Sequence, residues 1–131
     1  MNYLDYAATT PVNAEVLEVI TKEMASFGNP SSVYRIGREQ KQKIERVKKS
    51  ILSELQASPH DAIIFTSSGS EGNNLVFESI REHFAKEKGH IIVSAVEHPS
   101  VRKPAEFLEQ EGFDVTYLAP NKDGIVTVSE I

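Results

Sequence analysis

Two stripes of apolar residues in the first half of the chain recur every three or four positions, which predicts two amphipathic helices. We expect the first helix to begin at Asn13 as its N-cap and to end at Gly28. Ser31 or Ser32 would cap the second helix. The stripes consist of Val16, Leu17, Ile20 and Met24 in the first helix, and of Ile44, Val47, Ile51 and Leu55 in the second.

The second half of the chain alternates short apolar runs with helical patterns. The runs at residues 62–66, 90–94 and 113–118 have the length and composition of strands, and residues 62–66 are typical of a buried one. Strands that alternate with helices predict parallel βαβ units with right-handed crossovers. The sequence therefore predicts the α/β class, with three parallel strands preceded by two helices.

The two helices between these strands have clear start and stop signals. We expect one to begin near Ser70 and to end at Gly89, and the other to have Pro99 in its first turn and to end at Gly112. The predicted inner side is formed by Leu75, Val76, Ser79, Ile80 and Phe84 in the first of these helices, and by Val101, Ala105 and Leu108 in the second.

The last residues predict a turn at Gly124 and then the start of another helix, with Ser129 as its N-cap. Three parallel strands alone would leave open edges and an uncovered face. We therefore expect residues 1–131 to be a single partial domain that is truncated at its C-terminus. Within it, residues 1–60 would form an arm and helices, and residues 61–131 a βαβαβ part completed by further chain or by another subunit.

Composition narrows the possible functions. The 131 residues carry a formal net charge of −5, which argues against a nucleic-acid partner. Acidic residues interrupt the basic cluster between Arg35 and Lys49, as is typical of a solvated helix face. The lack of cysteine excludes disulfides, thiolate metal ligands and a cysteine nucleophile within these residues. No histidine pair has the spacing of a zinc motif, so we expect no metal.

Nothing in the sequence predicts a membrane partner. No stretch approaches the roughly 18 apolar residues that a bilayer span needs. The first residues also lack the basic and apolar regions of a signal peptide. We expect a cytoplasmic protein.

Residues 65–74 (FTSSGSEGNN) join the end of a predicted strand to the start of a helix. Gly69 permits a tight turn. Peptide N–H groups at such a helix start can point at one anion, and the helix dipole adds roughly half a positive charge there. With the Ser70 hydroxyl, these groups could bind a phosphate monoester. An ordinary turn with Ser70 as helix cap explains the same residues equally well.

His98 follows the second predicted strand, at the carboxyl edge where α/β sheets bind ligands. An imidazole there can stack on an aromatic cofactor or exchange protons near neutral pH, whereas a surface histidine at a helix start is the simpler interpretation. Residues 29–32 (NPSS) are explained as a rigid turn and cap. Residues 5–11 (DYAATTP) form an extended arm that either lines a cleft or is poorly ordered.

Taken together, four blocks of sequence resemble the cysteine desulfurases of the class V aminotransferase superfamily. The first and third blocks are the most specific, and the third is similar to the NifS/IscS-like branch. The blocks are YLDYAATTP at 3–11, FGNPSS at 27–32, FTSSGSEGNNL at 65–75 and EH at 97–98, with further similarity in GFDVTYL at 112–118. The resemblance therefore covers nearly the whole chain.

This resemblance implies the N-terminal part of the large, cofactor-binding domain of a fold-type-I enzyme that uses pyridoxal 5′-phosphate (PLP). Such enzymes are homodimers that convert L-cysteine to L-alanine. They pass persulfide sulfur to an acceptor protein for iron–sulfur cluster assembly or tRNA thiolation. Gly69 and Ser70 match the positions that bind the cofactor phosphate. His98 matches the histidine that stacks on the cofactor ring and helps to move protons, and is the catalytic residue expected here.

The family's cofactor-binding lysine and nucleophilic cysteine fall beyond Ile131, so we expect these residues alone to be inactive. Tyr34 stands where the family often has histidine, and Gly72 where alanine or serine is usual. Two alternatives remain. One is another enzyme of the superfamily, such as a selenocysteine lyase or an aminotransferase. The other is a non-catalytic remnant that binds a partner.

Overall fold

The computed structural model describes residues 2–58 and 60–127, and the chain divides into two compact units, Met1–Ile63 and Ile64–Ile131. The predicted helix cap at Ser129 lies outside the described residues. The first unit contains helices α1 (Ala14–Met24) and α2 (Arg35–Glu54). The second contains α3 (Gly69–His83), β1 (His90–Ser94), α4 (Pro99–Gln110) and β2 (Asp114–Leu118). This succession of helices and parallel strands confirms the α/β class.

Helix α1 begins where the sequence predicts. The Asn13 side-chain oxygen accepts a hydrogen bond of 2.8 Å from the Glu15 peptide N–H. The predicted end at Gly28 is wrong, because the helix ends four residues earlier, at Met24. The next two peptide N–H groups bond to carbonyl groups three residues back, which closes the last turn before the chain leaves the helix.

Helix α2 begins later than predicted, and neither Ser31 nor Ser32 caps it. The Ser32 hydroxyl accepts from the Tyr34 peptide N–H at 3.2 Å. The Asn29 side chain accepts from the Ser31 peptide N–H at 2.9 Å. These polar side chains close local turns instead of capping the helix, so helical hydrogen bonding starts only at Arg35.

The turn at residues 29–32 packs against Gly37, the buried residue of α2. A Cβ atom at this position would collide with the carbonyl oxygen of Asn29. The predicted apolar stripe of α2 is not buried within the described residues, since Val47 and Leu55 are 50% and 71% exposed. The arm before α1 is not simply extended either, because the Ala8 peptide N–H donates to the Asp5 carbonyl in a turn.

The predicted strand at residues 62–66 is wrong. Within the described residues the sheet has two strands, β1 and β2, and residues 62–66 pair with neither. A strand is maintained by hydrogen bonds to a neighbouring strand, and apolar content alone does not supply them. Ile64 and Phe65 consequently remain exposed.

The strands β1 and β2 form the predicted parallel pair, with register from His90 opposite Asp114 to Ser94 opposite Leu118. Helix α4 connects them and packs against both. Gly112 follows α4 as predicted, with a positive φ of 93° that favours glycine. The buried core of this βαβ unit consists of Val93, Ala105, Leu108 and Phe113.

Helix α3 packs against α4 with a different face from the predicted one. The Asn73 side chain donates to the Ser100 hydroxyl at 2.9 Å, and Arg81 forms an ion pair with Glu111 at 3.7 Å. These polar contacts lie between the two helices, so the predicted inner face of α3, which includes Leu75, is largely exposed. The helix also ends at His83, before the predicted stop at Gly89.

Candidate functional site

The start of α3 is stabilised by hydrogen bonds among neighbouring residues of the turn. Ser68 is the N-cap, and its hydroxyl accepts from the Glu71 peptide N–H at 3.2 Å. In return, the Glu71 carboxylate accepts from the Ser67 peptide N–H at 2.5 Å. The Gly72 peptide N–H donates to the Ser68 carbonyl at 3.1 Å. This reciprocal arrangement, similar to a capping box, fixes the path of the turn.

Within the first turn of α3 itself, the peptide N–H groups of Gly69 and Ser70 are left over. Within the described residues, neither group has a hydrogen-bond partner, and the Ser70 hydroxyl has none either. Space is open above Gly69, because an added Cβ atom would meet nothing within 4 Å. The interpretation of Ser70 as the cap is wrong, since Ser68 caps the helix. Three donors are therefore available to an anion at the positive end of α3.

The hydrogen bonds from Ser67, through its side chain and its peptide N–H, hold the pKa of the Glu71 carboxyl below its ordinary value. The ionised Glu71 carboxylate therefore stabilises the turn at pH values above the ordinary glutamate pKa. This stabilisation is lost as the pH falls through the lower pKa of the folded state. We expect the Ser67 amide proton, followed by NMR, to report a transition at that lower pH.

In the Glu71→Gln variant the same amide signal should show no such transition, because an amide side chain does not titrate. A Ser67 transition centred on the ordinary glutamate pKa in the unmodified chain would contradict the stabilising contact between the Glu71 carboxylate and the Ser67 peptide N–H.

His98 is the N-cap of α4. Its Nδ1 atom accepts from the Ser100 peptide N–H at 3.1 Å and lies 2.8 Å from the Ser100 hydroxyl oxygen. Pro99 follows at the first helical position, where the missing peptide N–H costs nothing. The ring is therefore held from one side while remaining exposed.

Ser70 and His98 line one cavity of about 580 Å³ that begins at the N-terminal ends of α3 and α4 and continues between the two helices. The structure thus brings together two of the three predicted site residues, and Gly69 precedes Ser70 without lining this cavity itself. Other lining residues are Asn74, Phe77 and Glu78 from α3 and Ser100, Lys103 and Phe107 from α4.

Sequence reasoning missed Asn73, Ser100 and Lys103. A serine two residues after a helix-capping histidine is a signal that could have identified Ser100, since its peptide N–H is one that an N-cap side chain satisfies. Asn73 gave no signal, because its role depends on how two helices pack. The Lys103 ammonium group pairs with Glu106 at 2.7 Å, so it is already engaged by a carboxylate.

The cavity combines anion donors at one position with an imidazole at another, which suits a phosphorylated aromatic molecule. Across residues 2–58 and 60–127, no group of three or more acidic or histidine side chains could hold a metal ion. In the same ranges, no helix has the length and apolar character needed to cross a bilayer.

The model of the aminotransferase class-V family matches residues 2–131. Cysteine desulfurase IscS from Dictyoglomus turgidum is 42% identical over 98% of this chain, which covers 33% of that protein. The mitochondrial cysteine desulfurase of Eremothecium gossypii is 37% identical over 98% of this chain, which covers 26% of that protein.

Solved structures give the same result. The structure of SspA in complex with cysteine matches with a TM-score of 0.89 and 38% identity, over 99% of this chain and 38% of that one. A NifS-like protein matches with a TM-score of 0.84 and 33% identity, over 94% of this chain and 34% of that one. The chain spans about a third of the length of most of these relatives.

Proposed function

This chain belongs to the aminotransferase class-V family, and on that premise we propose that it forms the N-terminal part of a PLP-dependent cysteine desulfurase. The observation that supports this function best is the cavity shared by Ser70 and His98, next to the unpaired peptide N–H groups. The activity would belong to a longer protein, because the chain covers only 33% of the desulfurase from Dictyoglomus turgidum.

The residues present fit the cofactor. Its phosphate would accept from the peptide N–H groups of Gly69 and Ser70 and from the Ser70 hydroxyl, at the positive end of α3. The His98 ring, exposed at the start of α4, would face the cofactor ring. The cavity of about 580 Å³ lies within the usual range of small-molecule sites, about 300–1,000 Å³. When bound, PLP supplies the electron sink for the chemistry.

The roles of these residues are binding, orientation and proton transfer. Gly69 and Ser70 would anchor the phosphate and so orient the cofactor. His98 would be the catalytic residue of this set, because its exposed imidazole nitrogen could exchange a proton with the bound molecule. We place residues 1–60, the arm and first helices, and residues 61–131, the βα part, in one cofactor-binding domain.

The chemistry also needs a lysine that holds the cofactor and a cysteine that takes the sulfur. The sequence contains no cysteine. The lysine that lines the cavity, Lys103, is paired with Glu106. Both groups would come from further polypeptide, in a cytoplasmic homodimer that delivers sulfur to an acceptor protein for iron–sulfur clusters or tRNA thiolation. The mitochondrial relative shows that another compartment is compatible with the same family.

Release of alanine from L-cysteine tests this function. With PLP and a thiol reductant, the complete protein should release alanine and sulfide in equal amounts, whereas residues 1–131 alone should release neither. Alanine formation by the 131 residues would overturn the proposed division of the active site. A complete protein that acts on selenocysteine and not on cysteine would instead identify a selenocysteine lyase.

A further inference from the structure

We infer that Ser100 is a positioning residue that fixes the tautomer of the His98 ring through two groups, its peptide N–H and its hydroxyl, the latter oriented by Asn73. The contacts run from Asn73 on α3 through Ser100 on α4 to His98, over distances of 2.9 and 2.8 Å. The tautomer itself is independent of any ligand. Its consequence, which His98 nitrogen faces the cofactor, rests on the proposed function.

The direction of these hydrogen bonds follows from one group that can only donate. The Ser100 peptide N–H donates to His98 Nδ1 at 3.1 Å, so Nδ1 has a lone pair and the neutral ring carries its proton on Nε2. The Ser100 hydroxyl lies 2.8 Å from the same unprotonated Nδ1 and is therefore the donor of that contact, sharing the Nδ1 lone pair with the peptide N–H. The hydroxyl oxygen is left as an acceptor, and the Asn73 amide donates to it at 2.9 Å.

The opposite tautomer would disrupt this network. A proton on Nδ1 would face the Ser100 peptide N–H, which has no other acceptor within the described residues. Asn73 and Ser100 are partly buried while the His98 ring is exposed, so the network anchors a solvent-facing ring to the interface of two helices.

The consequence for the site concerns Nε2, which has no hydrogen-bond partner within the described part of the chain. This nitrogen is therefore the one available to a ligand, and in the neutral ring it carries the proton. His98 would act on the cofactor or substrate as a donor through Nε2–H. It could not accept a proton at that atom until it had given one up.

The test is the tautomer of His98, read from its two ring ¹⁵N chemical shifts in the 131-residue chain without cofactor. The pH is set where histidine is neutral, and His98→Gln assigns the signals. His60 serves as internal reference, because its ring makes no hydrogen bond within the described residues. We expect widely separated shifts for His98, with Nδ1 unprotonated. Ser100→Ala keeps the peptide N–H of residue 100 but removes the hydroxyl, and Asn73→Ala removes the amide that orients this hydroxyl. In both variants the two shifts should therefore move part of the way toward each other, in the direction of the His60 values.

Two control variants distinguish a specific effect of the Ser100 hydroxyl on the His98 ring from a general change in the structure. Ser100→Thr keeps the hydroxyl and should keep the His98 shifts. Ser79→Ala removes a hydroxyl that bonds to the Leu75 carbonyl of its own helix at 2.8 Å, and should also leave them unchanged. The inference is overturned if Ser100→Ala leaves the His98 shifts unaltered, or if His98 matches His60 in the unmodified chain. Because no cofactor is added, this result does not depend on the proposed function, which would fail separately if the complete protein released no alanine from L-cysteine.

Discussion

Replacing Gly69 with proline is expected to weaken PLP binding by about ten- to a hundredfold. Gly69 occupies the first position of α3, where proline is well tolerated and where its missing N–H removes one of the proposed phosphate donors. Ser68 has extended φ and ψ of −165° and 164°, as a residue before proline requires. A hydrogen bond to a charged group contributes about 1.5–3 kcal/mol, which gives this range of affinities.

Gly69→Ala is the matched control, since it keeps the N–H and its Cβ atom meets nothing within 4 Å. Titration of the complete protein with PLP, followed by ³¹P NMR, should give nearly the same dissociation constant for Gly69→Ala and the unmodified protein. Circular dichroism would show whether helix content is retained in both variants. Equal affinities of the proline and alanine variants would show that the Gly69 N–H does not bind the phosphate.

The parts of the site that depend on local geometry could be predicted from the sequence. The turn at residues 65–74 suggested an anion site because small polar residues precede a helix, and the structure does leave the Gly69 and Ser70 donors free within the described residues. The cap was misassigned by two residues, because Ser68 and Ser70 are chemically equivalent candidates. Only the packed structure shows that the Ser68 hydroxyl reaches the Glu71 N–H.

The parts that depend on distant segments could not be predicted. Residues 62–66 have the composition of a strand, yet β1 and β2 pair with each other and not with them. The inner face of α3 was assigned from apolar residues alone, whereas the observed contact with α4 uses Asn73 and Arg81. Hydrophobic periodicity identifies a face that can be buried, but it does not say which partner, if any, covers it.

The second large effect is a loss of stability in Leu108→Ala, because the inner face of α4 is buried whereas the predicted inner face of α3 is exposed. Leu108 is only 1% exposed and belongs to the small core formed by α4 and the two strands. Truncation of a buried leucine costs about 2–5 kcal/mol, because apolar contacts are lost and a cavity remains. With few other buried side chains to compensate, urea unfolding followed by circular dichroism should show a much lower midpoint or no cooperative transition.

Leu75→Ala is the matched control on α3. Leu75 was predicted to be buried, but it is 44% exposed and lines an open apolar groove with Val76 and Ile80. The same truncation there removes much less buried area and should cost below about 1 kcal/mol. If Leu75→Ala destabilised the chain as strongly as Leu108→Ala, a further segment or a second copy would have to cover α3, and the sequence-based assignment of its inner face would be right after all.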